Sequence, residues 1–146
     1  MTAIHFEPAR EQDAEALVSL RIEAMRPSLE RIGRFDPLRA RARFLDGFVP
    51  PCARHIVCDG ERVGFVVVKE GVGEWLLDHL YIRPDRQGQG IGHAVLQSLF
   101  AEADAAGRPL RVGALRGSDS NRFYVRHGFK PVGESEFDIY YLRHPG

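Results

Sequence analysis

The sequence predicts a single α/β domain spanning residues 1–146, with a mixed, mostly antiparallel sheet flanked by helices in the order βααβββαβαββ. Three observations carry that prediction. Short apolar runs bounded by glycine, proline or Asp-Gly alternate with stretches whose apolar residues recur every three to four positions, the periods of strand and helix. A glycine-rich stretch, Gln87-Gly88-Gln89-Gly90-Ile91-Gly92, separates an apolar strand from a long helix, which makes that helix a crossover and its two flanking strands parallel neighbours. The 146 residues, 44% of them hydrophobic, suffice for one buried core.

Taken in order, Ile4-His5-Phe6 reads as a first strand. Asp13 stands as an N-cap or first-turn acid before Ala16, Leu17, Leu20 and Ala24 at helical spacing. Pro27 is expected to end or kink this helix, with a second short helix around residues 28–32 closed by Gly33. Asp36-Pro37 has the form of an N-cap followed by proline at the first helical position, opening a helix over residues 38–48 that Pro50-Pro51 stops. Strands follow at Ala53–Cys58 and residues 62–68, joined by an Asp59-Gly60 hairpin turn, and then at residues 74–82. The crossover helix covers residues 90–106 and ends at Gly107. Leu110–Leu115 is a strand, residues 121–127 a short helix before Gly128, and residues 131–134 and 137–142 a closing pair of strands.

The glycine-rich joint is the chemically informative stretch. Glycine lets backbone N–H groups crowd toward one point without Cβ clashes, and the helix behind it adds unsatisfied donors and about half a positive charge. That is a cradle for a phosphate or pyrophosphate. A Walker loop would need Gly-Lys-Ser/Thr, whereas Gly92 is followed by His93-Ala94. A dinucleotide fingerprint would open a βαβ unit and carry an acid about 20 residues on, where the next strand here has Arg111.

The form Gln87-x-x-Gly90-x-Gly92, preceded by Ile82-x-Pro84, resembles the acyl-CoA-binding motif of the GNAT superfamily of N-acetyltransferases. The order of elements is similar over nearly the whole chain. A second likeness is Tyr124-Val125-Arg126-His127-Gly128-Phe129, where the family pattern has a tyrosine four residues before Gly-Phe. The resemblance implies acetyl-CoA as co-substrate, with its pyrophosphate on Gln87, Gly88, Gln89, Gly90, Ile91 and Gly92 and its pantetheine arm hydrogen-bonded to the backbone of Leu80, Tyr81 and Ile82. It gives Tyr124 the part of the acid that protonates the departing thiolate; the plainer reading is a packing tyrosine beside Phe123. Many relatives carry an asparagine six or seven residues before that tyrosine. Here those positions are Gly117 and Ser118, and Asn121 either contacts the cofactor or caps the helix.

An attacking amine must first lose a proton, at a cost of about 4–5 kcal/mol for a lysine-like group at neutral pH. A base on the strand ahead of the cradle lowers that obstacle. Alternation puts residues 74, 76, 78, 80 and 82 on one face. Counting back from Gln87, Asp78 stands where some GNAT enzymes place a basic histidine, so the resemblance makes it the first candidate, with Glu74 the second and His79, on the opposite face, the third. Asp78 reads equally as a carboxylate paired with an arginine. Arg26, Arg31, Arg34, Arg39, Arg41 and Arg43 offer recognition of an acidic acceptor, but the plainer account is a solvated face balanced by Glu23, Glu30, Asp36 and Asp46.

Composition excludes several classes. A net charge of zero argues against general nucleic-acid binding. No apolar run approaches the roughly 18 residues of a membrane span, and residues 1–6 lack the basic start and apolar core of an export signal. Cys52 and Cys58, six apart on one expected strand, would sit about 20 Å from each other, beyond bridging; free thiols in a reducing cytoplasm are expected. The six histidines show no metal-ligand spacing, so no metal is expected. The expectation is therefore an acetyl-CoA-dependent N-acetyltransferase acting on the primary amine of a small molecule by direct attack in a ternary complex. A non-catalytic acyl-CoA sensor and a protein lysine or N-terminal acetyltransferase are the alternatives. The closing strands are the surface expected to pair two copies as a homodimer.

Overall fold

The computed structural model describes residues 2–146. Seven strands form one sheet: β1 (His5–Pro8), β2 (Ala53–Cys58), β3 (Glu61–Glu70), β4 (Trp75–Ile82), β5 (Leu110–Leu115), β6 (Lys130–Glu134) and β7 (Asp138–Arg143). Their order is β1-β2-β3-β4-β5-β7-β6. Four helices accompany them: α1 (Ala14–Arg31), α2 (Pro37–Asp46), α3 (Ile91–Ala106) and α4 (Ser120–Arg126). The order βααβββαβαββ stands as expected. So does the parallel pair, since β4 and β5 align Trp75 with Leu110 and Leu77 with Val112. The pairs β1/β2, β2/β3, β5/β7 and β6/β7 are antiparallel.

Local chemistry explains most boundaries. Asp59 (φ 54°) and Gly60 (φ 75°) are both left-handed, as a tight two-residue hairpin demands. Asp36 accepts the Arg39 N–H at 3.1 Å and Pro37 follows it, so α2 opens as its sequence requires. At the end of α1, Gly33 (φ 69°) donates to Glu30 O at 3.0 Å and Arg34 to Leu29 O at 2.9 Å, a Schellman closure.

Two expectations change. Pro27 neither ends α1 nor opens a second helix: α1 runs unbroken through it to Arg31. Proline removes one helical hydrogen bond, but anchors hold the helix on both sides of the gap. Met25 Sδ accepts the Tyr81 hydroxyl at 3.2 Å, and Arg26 reaches across Pro27 to Glu30 at 2.8 Å. Cys52 is also not on β2; it lies in the one-turn helix Pro50–Cys52 ahead of that strand, and both cysteines are free.

The contacts divide the chain into two compact units, one reaching Val67 and resuming at His79–Gly92, the other made of Val68–Asp78 and His93–Gly146. In the first, Leu17 and Val18 of α1, Phe44 of α2, Ala53 of β2 and Phe65 and Val67 of β3 form the buried cluster. Phe44 meets Phe65 edge-on at 5.7 Å. In the second, Val95, Leu96, Leu99 and Ala103 of α3 are fully or almost fully buried at helical spacing, as are Leu110 and Val112 of β5. Phe129 closes this core, 5.7 Å from Phe100 and 5.3 Å from Tyr124.

Candidate active site

The joint between β4 and α3 is built in the first unit. The backbone of β3 approaches β4 so closely that a Cβ placed on Gly64 would overlap the Tyr81 carbonyl oxygen and lie 3.2 Å from Ile82 Cα. After Ile82 the chain turns through Arg83 and the single turn Pro84–Arg86. The Gln87 side chain folds back and donates to Ile82 O at 3.0 Å, drawing the start of the loop against the strand it left. Gly88 (φ 77°) and Gly90 (φ 81°) hold left-handed conformations that residues with a Cβ resist. Thr2 Oγ1 donates to Gln89 O at 2.7 Å and stands 3.1 Å from where a Gly90 Cβ would be.

An ionic frame fixes this loop. Arg83 bonds Glu61 at 2.6 Å and both oxygens of Asp85 at 3.0 and 2.6 Å, while Arg86 reaches Glu61 at 3.4 Å and Gln89 at 3.0 Å. Beside Arg83 the Asp85 carboxyl is held below the usual carboxylate range, and Arg83 is driven further toward its charged form by Asp85 and then Glu61. Glu61 sits on the neighbouring hairpin, 22 residues upstream of Arg83, and sequence reasoning missed it: nothing in the local pattern marks a partner so distant. Among the described residues, the N–H groups of Gly88, Gln89 and Gly90 are given no partner by the loop's own bonding. They are backbone donors of the kind a diphosphate needs.

On β4 the candidate bases occupy different surroundings. Asp78 is paired with Lys69 of β3 at 3.1 Å. Glu74, just ahead of the strand, takes the Arg111 Nε–H of β5 at 2.6 Å. His79 belongs to the aromatic face of the first unit: its ring lies 5.1 Å from Phe44 and 5.7 Å from Tyr81, with Nδ1 3.5 Å from the Tyr81 hydroxyl. Of the arginines in the early helices, Arg26 pairs with Glu30 and Arg41 with Glu15.

The second unit carries Tyr124 on α4, 6% exposed and ringed by Phe123, Phe129 and Tyr141. Asn121, one turn earlier, donates through Nδ2 to Leu115 O at 2.9 Å and Ser118 O at 3.0 Å, and accepts the Tyr141 hydroxyl at 2.7 Å. Next to them His127 Nδ1 meets Phe123 O at 2.7 Å and His127 Nε2 meets His93 Nδ1 at 2.9 Å. Leu80, Tyr81, Ile82 and residues 87–92 thus fall in one unit, Glu74, Asp78, Asn121 and Tyr124 in the other. No described group of three or more His, Cys, Asp or Glu is arranged to hold a metal, and no described helix is long and apolar enough to cross a membrane.

Residues 51–131, more than half of the chain, match the family model described as an acetyltransferase (GNAT) domain. Among solved structures, the fold is similar to that of PaiA N-acetyltransferase from Thermoplasma acidophilum in complex with coenzyme A (TM-score 0.79, 18% identity, 97% of this chain and 99% of that one). It is similar to an acetyltransferase from Thermus thermophilus (0.75, 25%, 99% of each chain). It is also similar to the ribosomal-protein-S18-alanine N-acetyltransferase from Escherichia coli (0.67, 16%, 99% and 95%). No curated protein matches the chain.

Proposed function

Because the chain belongs to the GNAT family of N-acetyltransferases, which transfer an acyl group from acetyl-CoA, we propose that its acceptor is the primary amine of a small molecule, attacked directly in a ternary complex. The observation that carries the cofactor part of the reading is the joint after β4: left-handed Gly88 and Gly90, unspent N–H groups beside them, and the N-terminus of α3 behind. Acetyl-CoA supplies an activated thioester when bound. Residues 87–92 hold its diphosphate through backbone donors, and the backbone of Leu80, Tyr81 and Ile82 aligns its arm and polarises the thioester carbonyl.

The acceptor nitrogen forms the new C–N bond as the C–S bond breaks, and two protons must move. One leaves the amine for a base on or beside β4. Asp78 is the first candidate and Glu74 the second; each carries an ion-pair partner that the incoming ammonium competes with. The other proton goes from the Tyr124 phenol to the departing thiolate, and the phenolate takes back the second proton that the ammonium nitrogen sheds as it becomes an amide. Phenol near pKa 10 against thiol near 8.5 makes that step uphill by about 2 kcal/mol, a gap the site must close by retuning one of the two groups.

The test is thiol release from acetyl-CoA across a panel of small primary amines, with Tyr124→Phe alongside. Amine-dependent release that falls about 10²- to 10³-fold in the variant supports the reading. Release with peptide amines alone would move the acceptor class to proteins. Binding of acetyl-CoA without any release would leave a sensor.

A further inference from the structure

We infer that Asn121 and Tyr141 form a positioning pair that fixes α4, and through it Tyr124, and that Asn121 is not a cofactor ligand; this rests on the role proposed for Tyr124. The amide of Asn121 has two N–H donors, and they are satisfied by Leu115 O and Ser118 O at 2.9 and 3.0 Å. Its oxygen accepts the Tyr141 hydroxyl at 2.7 Å. No donor remains for a phosphate or a carbonyl.

The three partners lie on three segments. Leu115 ends β5, Ser118 belongs to the loop after it, and Tyr141 is on β7, where it pairs with Val112 of β5. Asn121 therefore ties the first turn of α4 to two strands and a loop. The helix needs such a tie: at seven residues it is too short to be held by its own hydrogen bonds. Asn121 and Tyr124 are three positions apart and so stack one turn above the other on the same side of α4. Tyr141, 4% exposed, also faces Tyr124 directly, with ring centroids 6.4 Å apart. Its phenol oxygen is thus fixed by Asn121 and its ring supports Tyr124, so one side chain couples the strand β7 to the phenol proposed to act on the thiolate.

The test is a double-mutant cycle on the intact chain, with Tyr141→Phe and Tyr124→Phe singly and together. Tyr141→Phe keeps the ring and removes only the hydroxyl donor. Two readings are taken from folded protein: thiol release from acetyl-CoA with water as acceptor, and CoA affinity by calorimetry. The expected result is an approximately tenfold loss of release in Tyr141→Phe with CoA affinity changed less than twofold, and no further loss when Tyr141→Phe is added to Tyr124→Phe. Multiplying losses in the double variant would overturn the pair's action through Tyr124 while leaving the acid role standing. A normal rate in Tyr124→Phe would remove the acid role and the inference with it. A CoA affinity lowered more than tenfold in Asn121→Ser, with the fold intact, would make Asn121 a ligand and sink the proposal.

Discussion

His55 Nε2 lies 3.1 Å from Asp13 Oδ2, joining the middle of β2 to the residue that opens α1 across 42 positions of sequence. Only 4% of His55 is exposed, and the same Asp13 oxygen accepts the Arg10 N–H at 2.9 Å. Asp13 is the N-cap residue of α1, as the sequence allows, but its carboxylate makes no capping hydrogen bond there. It faces the sheet instead, and this fixes how the helix starts on the strands. The hydrogen bond from His55, then that from Arg10, holds the Asp13 carboxyl below its ordinary value.

The sign of the resulting pH dependence follows. A carboxyl with its folded value below the unfolded one of about 3.9 stabilises the fold fully above that pH, and the stabilisation fades as acid protonates the folded group. Asp13→Asn should cost about 1–2 kcal/mol at neutral pH. Urea unfolding of the two proteins should show their difference shrinking as the pH falls toward about 2.

Gly64 separates a steric claim from a general one. Alanine there would drive its Cβ into the Tyr81 carbonyl, so β3 or β4 must shift, at about 3 kcal/mol. Gly133→Ala, which meets nothing within 4 Å, is the control and should change stability by less than about 0.5 kcal/mol. The thermal midpoints of the two variants decide it.

Glu61 should act on binding and hardly on folding. It is half exposed, yet it joins Arg83 and Arg86 on either side of the turn that leads into the cradle. Removing it in Glu61→Ala loosens the loop proposed to hold the diphosphate. Acetyl-CoA affinity is expected to fall about fivefold with the melting temperature nearly constant. High salt, which screens the same pairs, should reduce the difference between the two proteins.

Pro27 gives the opposite sign. Its missing N–H removes one helical hydrogen bond, and the helix persists with contacts on either side. Pro27→Ala restores the donor and should stabilise the protein by about 1–2 kcal/mol, less than the full helix penalty because the unfolded chain also gains freedom. Chemical denaturation measures it.

Much of the architecture was legible because it rests on short-range rules. Alternation gave Ala53–Cys58 and Leu110–Leu115 to the residue, Asp59-Gly60 gave the hairpin, and Gly33 and Asp36-Pro37 gave two helix ends. The glycine-rich joint between β4 and α3 is legible for the same reason, since its glycines, strand and helix are contiguous. What stayed hidden depends on partners far along the chain. Nothing near Glu61 points to Arg83, nothing near Asp13 to His55, and nothing near Asn121 to Tyr141. The continuation of α1 past Pro27 is not legible locally, because a local propensity is outweighed by tertiary contacts, which a single sequence does not display.

The central claim is that the loop over residues 87–92 seats the cofactor, and calorimetric titration of acetyl-CoA and free CoA into the protein addresses it most directly. Gly90→Trp is the control: its left-handed backbone and the nearby Thr2 hydroxyl leave no strain-free place for an indole. Micromolar binding by the native protein, lost in a variant that remains folded, is the predicted result. Equal binding by both proteins, or none by the native one, would contradict the account and leave the loop a turn between a strand and a helix.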